Sequence, residues 1–490
     1  VSAWYSSIEH FALIPALMLA LFGCAVLLFD FLVFPAPRQR KFLVAFLAMG
    51  IGFAAVGLVR QQLFLSEQGL SEFTAFRGAL TVDGFSIFFN WIFLIASLVV
   101  ALVSYRYLEI EGEHHGEYYG LILLANCGMY FLATGTDLVT LFVGLELMAV
   151  CFYILVGFLP ADKRSNEAAI KYLLLGAFSS GFLVYGFSVL YGLAGSTRLA
   201  EITAAVAARS PWDPLVFLAL ATTAVGLLFK ISAVPFHMWA PDAYEGAPTP
   251  VTAYLSVASK AASFAFLVRI FLGPLAAARE VWEPLLSAVA VATLTVGNLA
   301  AITQTNVKRL LAYSSISHAG YILLGIIAGS PTGIKGVAVY VLVYTFMNLG
   351  AFLVLVALRR QHILGENMED LAGLMRRSPA HALLMLVFML SLAGIPPTAG
   401  FLGKYYIFWS LIETRHYWLA IVGAAYVAVA VYYYFRVVRS MFIAEMAGAE
   451  PVTSSFGLRL ALGVTGVLTL AIGVYPEPWL AWAQISVLLR

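Results

Sequence analysis

Residues 392–410 read LAGIPPTAGFLGKYYIFWS. The stretch is apolar and aromatic, yet it holds two adjacent prolines, Pro396 and Pro397, and one cation, Lys404. It lies within an apolar run over 380–413. As one helix that run is about 51 Å long at 1.5 Å per residue, well beyond the roughly 30 Å of hydrocarbon that a span must cross. The prolines remove two helix donors and clash with the preceding turn, and Gly394, Gly400 and Gly403 loosen the same region. Two half-helices are therefore predicted. Backbone groups freed at membrane depth are tolerated only where protein or water satisfies them, so a break beside Lys404 predicts a polar cavity there.

A second run repeats the theme. In 227-LLFKISAVPFHMW-239, Lys230 stands five residues before Pro235. Two interrupted segments in two halves of a chain point to inverted repeats with an ionisable site near the bilayer midplane.

Composition sets the wider frame. Of 490 residues, 62% are hydrophobic and 11% charged, where a soluble domain carries about 25% charged residues. A large soluble enzyme is excluded. Windows of about 20 apolar residues give about 14 spans, so the expected fold is an all-α polytopic membrane protein. Its expected parts are a three-span region at 1–117, a five-helix repeat at 118–272 (spans 4–8), a second at 282–443 (spans 9–13) and a final span within 444–490. Spans 7 and 12 are the broken ones, and a very short turn near Gly135 joins spans 4 and 5. The first apolar run has no basic region before it and no evident cleavage site, which reads as a retained span. A membrane barrel would alternate polarity over segments of about 10 residues, and these runs are apolar all round.

Lys and Arg mark the orientation. The ends after spans 1, 3, 5, 7, 9, 11 and 13 hold about fifteen of the 28, among them Arg38, Arg40, Lys163, Arg164, Lys308, Arg309 and Arg360; the other side holds about eight, among them Arg490. The positive-inside rule puts the richer side in the cytoplasm and both termini outside. No basic block suggests nucleic acid. Cys24, Cys127 and Cys151 sit in apolar runs without paired spacing and read as core residues. His114 and His115 lie in an acidic stretch, EIEGEHHGE, that reads as a solvated loop rather than a metal site.

Five cations remain, all inside predicted spans: Lys171, Lys230, Lys260, Arg269 and Lys404. A lysine at a helix centre costs about 2.5–3.5 kcal/mol on the insertion scale. Arg269 lies near a span end and is expected to snorkel; Lys171 is open to either role. Lys230, Lys260 and Lys404 are too deep for that, and Glu146 in LFVGLELMAV is the matching deep anion. Three lysines against one glutamate leave surplus positive charge, which a purely structural ion-pair network would not favour. A buried amine short of counter-charge holds its proton less firmly than one in water, so such groups can pass protons. His318 and His237, in or beside spans, are candidates for the same task because imidazole titrates near neutrality.

The segments GLELM (144–148), RSNEAAIKYLLLGAFSSGFLVYGFS (164–188), FKISAVPFHMWAPDAYEGAPTPVTAYLSVASK (229–260), TNVKRLLAYSSISHAGYILLG (305–325) and AGIPPTAGFLGKYYIF (393–408) resemble the antiporter-like subunits of respiratory complex I. The resemblance covers roughly residues 80–445. It implies a proton-translocating membrane-arm subunit of NADH:quinone oxidoreductase, homologous to multisubunit cation/proton antiporters. It also implies roles: Glu146 as the fifth-helix glutamate, Lys230 as its partner on the broken seventh helix, Lys260 as the central lysine of the eighth, His318 as the tenth-helix histidine and Lys404 as the exit lysine of the broken twelfth. Lys171 matches a sixth-helix lysine of N-type members, and a lysine at 404 suits that type better than the M type. NADH, FMN, iron–sulfur clusters and quinone are then expected in partner subunits, with no cofactor or metal held by this chain. The implied partners are M-type and small K-, J- and A-type membrane subunits. Competing readings are a Na+/H+ antiporter subunit of the Mrp class, a passive scaffold, and a relative fed by another electron donor such as ferredoxin.

Overall fold

The computed structural model describes residues 7–32, 41–359, 365–444, 452 and 454–487. Arg38, Arg40, Arg360 and Arg490 of the charge count, and both ends of the chain, lie outside them. Helices α1 (Ser7–Leu32) and α2 (Lys41–Gln68) come first. A hairpin follows, β1 (Glu72–Ala75) antiparallel to β2 (Leu80–Asp83), with Glu72 opposite Asp83. Next are α3 (Gly84–Glu111), α4 (Glu117–Thr134), α5 (Leu138–Val156), α6 (Lys163–Ala194), the short α7 (Leu199–Ala207), α8 (Pro214–Lys230) and α9 (Trp239–Gly246). Helices α10 (Thr249–Tyr254) and α11 (Lys260–Phe271) are continuous through a π-helical turn at Leu255–Ser259. The rest comprises α12 (Arg279–Ile302), α13 (Val307–Ala328), α14 (Pro331–Leu358), α15 (Leu374–Arg377), α16 (Pro379–Ala393), α17 (Ala399–Glu413), α18 (Tyr417–Phe442), α19 (Phe456–Val474) and α20 (Glu477–Gln484).

Eleven helices among the described residues, counting α10–α11 as one, are long and apolar enough to cross a membrane. The α10–α11 rod and α14 are enclosed on every side and form the centre of the bundle. Around them α6 turns Ile170, Leu174 and Phe178 outward, and α18 turns out Trp418, Ile421 and Tyr432. Such apolar faces suit lipid or a neighbouring membrane subunit.

Each expected break is present. The run at 380–413 is divided into α16 and α17, with Gly394 at φ +85°, a conformation that glycine adopts without strain. A side chain at Gly394 would press into the Lys404 amine, 3.1 Å from the Cβ position. The second run, expected to span 215–239, stops at Lys230, and Ser232 takes φ +61° before α9 begins. Thr293 of α12 accepts a hydrogen bond from the freed Val234 N–H at 3.0 Å. Trp239 Nε1 donates to the freed Phe229 carbonyl at 2.9 Å. Both breaks contain a cis X-Pro bond.

Several expectations are corrected. The final span, expected over 457–485, ends at Val474, and Pro476 sets the short α20 apart from it. Span 3, expected over 79–104, begins at Gly84, because Asp83 and Ser86 form a capping box and the residues before them pair as the hairpin. Arg269 does not snorkel. It is buried, with its guanidinium 2.9 Å from Asp83 and its Nε donating to the Ala133 carbonyl at 2.8 Å. Cys24 faces outward, while Cys127 and Cys151 are buried. His114 is buried against Tyr105, with Nε2 3.0 Å from the Tyr119 hydroxyl, so that stretch is only partly a solvated loop.

Candidate functional site

The break after Lys230 leaves that residue at the end of one half-helix, and the break before Lys404 sets its amine against the end of another. Lys230 is the last residue of α8, and Lys404 Nζ donates to the Leu392 and Ala393 carbonyls at the end of α16, at 3.0 and 2.8 Å. A helix C-terminus carries a partial negative charge and unsatisfied carbonyls. A cation is therefore stabilised there without a carboxylate.

Lys260 follows directly on the π turn, a distortion that recurs at functional sites. Its Nζ donates to the Ser315 hydroxyl at 2.6 Å and the Ser315 carbonyl at 3.0 Å. An ammonium has three donors, so one N–H is left over. A cavity of about 10 Å³ lies here, lined by Lys260, Ser315, His318 and Tyr344 among others. That is about the room one water needs. Tyr344 presents a buried hydroxyl with no hydrogen-bond partner among the described residues.

His318 stands between two tyrosines. Its Nδ1 is 2.7 Å from the Tyr340 hydroxyl and its Nε2 is 3.1 Å from the Tyr434 hydroxyl. Tyr434 in turn lies 2.5 Å from the Ser314 hydroxyl. The Lys404 amine sits 5.1 Å from the centre of the Tyr321 ring. Lys260, His318 and Lys404 are thus brought into one buried polar tract through serine and tyrosine groups. Those groups were not picked out in the sequence, where a tyrosine in an apolar span reads as packing.

Glu146 and Lys230 are brought near but not into contact, contrary to the expected pair. No ion pair within 4.0 Å joins them among the described residues. The Ser180 hydroxyl donates to Glu146 at 2.5 Å, and the Lys230 amine lies 3.4 Å from the Tyr153 hydroxyl and over its ring. Tyr153 and Ser180 take the partner places. Beyond 4 Å at an effective dielectric of 20, the attraction falls below about 4 kcal/mol.

The secondary candidates lie apart. Lys171 is exposed on α6, bound to Glu167 at 2.7 Å and Asp242 at 2.9 Å. Asp242 also takes Arg309, which reaches Glu245. His237 is half-buried in the α8–α9 break, and among the described residues no hydrogen bond ties it to the tract. The sequence also missed Lys308, counted there as a loop charge. Its side chain is 1% exposed and its Nζ donates to Glu366 at 3.0 Å and the Ala247 carbonyl at 2.7 Å.

Residues 135–429 match the family model described as "NADH:quinone oxidoreductase/Mrp antiporter, TM". The chain is 72% identical to a protein of Solibacter usitatus named NADH-quinone oxidoreductase subunit N 2, over 99% of both chains. Among solved structures it resembles a chain of respiratory complex I from Thermus thermophilus with bound aureothin, at 33% identity and TM-score 0.79 over 95% of this chain and 98% of that one. A chain of the Mrp complex from Dietzia shares the fold, at TM-score 0.82 and 21% identity over 98% and 97%. On this evidence the chain belongs to the NADH:quinone oxidoreductase/Mrp antiporter transmembrane family.

Proposed function

We propose that this chain is the proton-translocating membrane-arm subunit of an NADH:quinone oxidoreductase. It passes protons through Lys230, Lys260, His318 and Lys404 under the influence of Glu146. The observation that carries this reading is the buried tract itself. Lys260 and Lys404 lie at 4% exposure inside the helix bundle, and serine hydroxyl and backbone carbonyl groups, not carboxylates, hold their amines. Fixed structural cations would be expected to bring carboxylates with them.

The two five-helix units, 118–272 and 282–443, each carry their break in the fourth helix. They form an inverted pair around the tract. The basic ends of Arg164, Lys308 and Arg309 face the cytoplasm of a bacterial cell, and both termini face outward. Redox chemistry belongs to partner subunits that hold FMN, iron–sulfur clusters and quinone. M-type and small K-, J- and A-type subunits are the neighbours, and the catalytic class is that of the whole complex.

Glu146 acts across Tyr153 rather than by touching Lys230. When a neighbour's charge draws Glu146 off, Lys230 loses stabilisation and yields its proton toward Lys260. Each proton must climb about 2.3 kcal/mol per 100 mV. At an effective dielectric of 20, a through-space coupling matches this when the two charges lie within about 7 Å. The test is proton translocation per quinone reduced, in membrane vesicles carrying the assembled complex. Lys230→Ala and Glu146→Ala are each expected to lower coupled pumping tenfold or more. Normal turnover with a normal proton yield in both would remove them from the mechanism. A Mrp-type Na+/H+ exchanger would instead show sodium-dependent proton flux with no quinone present.

A further inference from the structure

We infer that Tyr434 and Tyr340 are the groups that hand the proton to and from His318. This rests on the proposed relay through Lys260 and Lys404. Both ring nitrogens of His318 are occupied by tyrosine hydroxyls, at 3.1 Å from Tyr434 and 2.7 Å from Tyr340. A proton therefore reaches or leaves the imidazole only through those oxygens. A neutral imidazole has one acceptor and one donor nitrogen, so one tyrosine donates to the ring while the other accepts from it.

The two tyrosines face different lysines. Tyr434 of α18 meets Ser314 of α13, and the next residue, Ser315, accepts the Lys260 amine. Tyr340 of α14 packs on α17 beside Lys404: a Cβ placed on Gly403 would lie 3.1 Å from its ring. The order is thus Lys260, Ser315 with its cavity, Ser314, Tyr434, His318, Tyr340 and Lys404.

The step balances without any redox change. The Lys260 N–H breaks as a proton passes to the Ser315 hydroxyl; the proton that Ser315 releases is carried by water to Ser314, whose own proton moves to the Tyr434 oxygen. Tyr434 gives its former proton to Nε2. The Nδ1–H then goes to the Tyr340 oxygen, and the former Tyr340 proton leaves toward Lys404. Only O–H and N–H bonds form and break. Each hydroxyl gains one proton as it loses another, so no isolated tyrosinate is buried.

The experiment uses membrane vesicles with the assembled complex, NADH and a short-chain quinone, and reads proton flux per complex. Tyr434→Phe and Tyr340→Phe keep ring and volume. Each is expected to lower coupled flux at least fivefold. Because the steps lie in series, the double variant should be no more than twofold slower than the slower single one. Tyr118→Phe removes an equally buried hydroxyl bonded to Ser104 on other helices, and should leave flux unchanged. If both single variants pump within twofold of the parent while Lys260→Met does not pump, the tyrosine assignment fails and the relay stands. If Lys260→Met also pumps normally, the relay reading fails and the assignment goes with it. A double variant slowed by the product of the single effects would reveal two independent packing defects and overturn the proposal. Should a phenylalanine variant fail to assemble, a difluorotyrosine at the same position keeps the hydroxyl and changes its acidity. Unchanged flux would then refute the assignment.

Discussion

Lys260→Met in the assembled complex is expected to reduce coupled proton translocation at least tenfold while the complex still forms. Methionine fills nearly the same volume with flexible apolar atoms. Lys260 is buried, and its amine is held by the Ser315 hydroxyl and carbonyl alone among the described residues. Burying an ammonium without a counterion costs several kcal/mol. A passive scaffold would therefore lose little stability from the change, or gain some, and would keep pumping. A relay loses its central station. Lys260→Arg sharpens the test, because guanidinium keeps the charge and does not release its proton in a protein. It should pump no better than the methionine variant. Assay of both against the parent for protons moved per quinone reduced separates three cases: two inactive variants support a titrating lysine, a working arginine variant supports a fixed charge, and two working variants leave Lys260 as packing.

The sequence revealed the breaks because length arithmetic and proline chemistry both act locally. A run over 380–413 is too long for the bilayer, and Pro396 and Pro397 mark where it gives way. The deep lysines were legible for a similar reason, since an amine in an apolar run is conspicuous whatever surrounds it. What surrounds it was not legible. Tyr340 and Tyr434 reach His318 from 22 and 116 residues away in the chain, Ser314 of His318's own helix meets Tyr434, and neither polarity nor period separates these groups from core residues. The Glu146–Lys230 contact did not follow because charge complementarity gives attraction and no geometry; Ser180 holds Glu146 and Tyr153 meets Lys230 instead. Hairpin residues Leu80–Asp83 merged into span 3 because Leu80 and Val82 are as apolar as the helix that follows. Lys308 was hidden by its neighbour Arg309. A Lys-Arg pair at a span end looks like a loop, yet α13 turns the two side chains different ways, Arg309 to a partly exposed carboxylate pair and Lys308 inward.

That inward turn makes Glu366 a residue whose loss should cost much stability. Its carboxylate joins α13 to the start of α6, with Lys308 at 3.0 Å on one oxygen and Arg164 at 3.3 Å on the other. The two legs are unequal. The Lys308–Glu366 pair is 1% and 5% exposed at its side chains, whereas Arg164 is 42% exposed. Removing one partner of a buried pair strands the other and costs about 3–5 kcal/mol. An exposed pair is worth about 0–1 kcal/mol. Glu366→Ala is therefore expected to destabilise the chain by about 3–5 kcal/mol, read as lower abundance of the complex in membranes and a lower thermal inactivation midpoint. Arg164→Ala should cost no more than about 1 kcal/mol by the same measures. Adding Lys308→Met to Glu366→Ala should recover most of the loss, since the stranded ammonium is gone. The Ala247 carbonyl, which Lys308 also binds at 2.7 Å, ends α9, so the clamp fixes the half-helix beyond Lys230 against the second unit. If Glu366→Ala were no more harmful than Arg164→Ala, or if Lys308→Met gave no recovery, the ions would be passengers and apolar packing alone would hold the two units together.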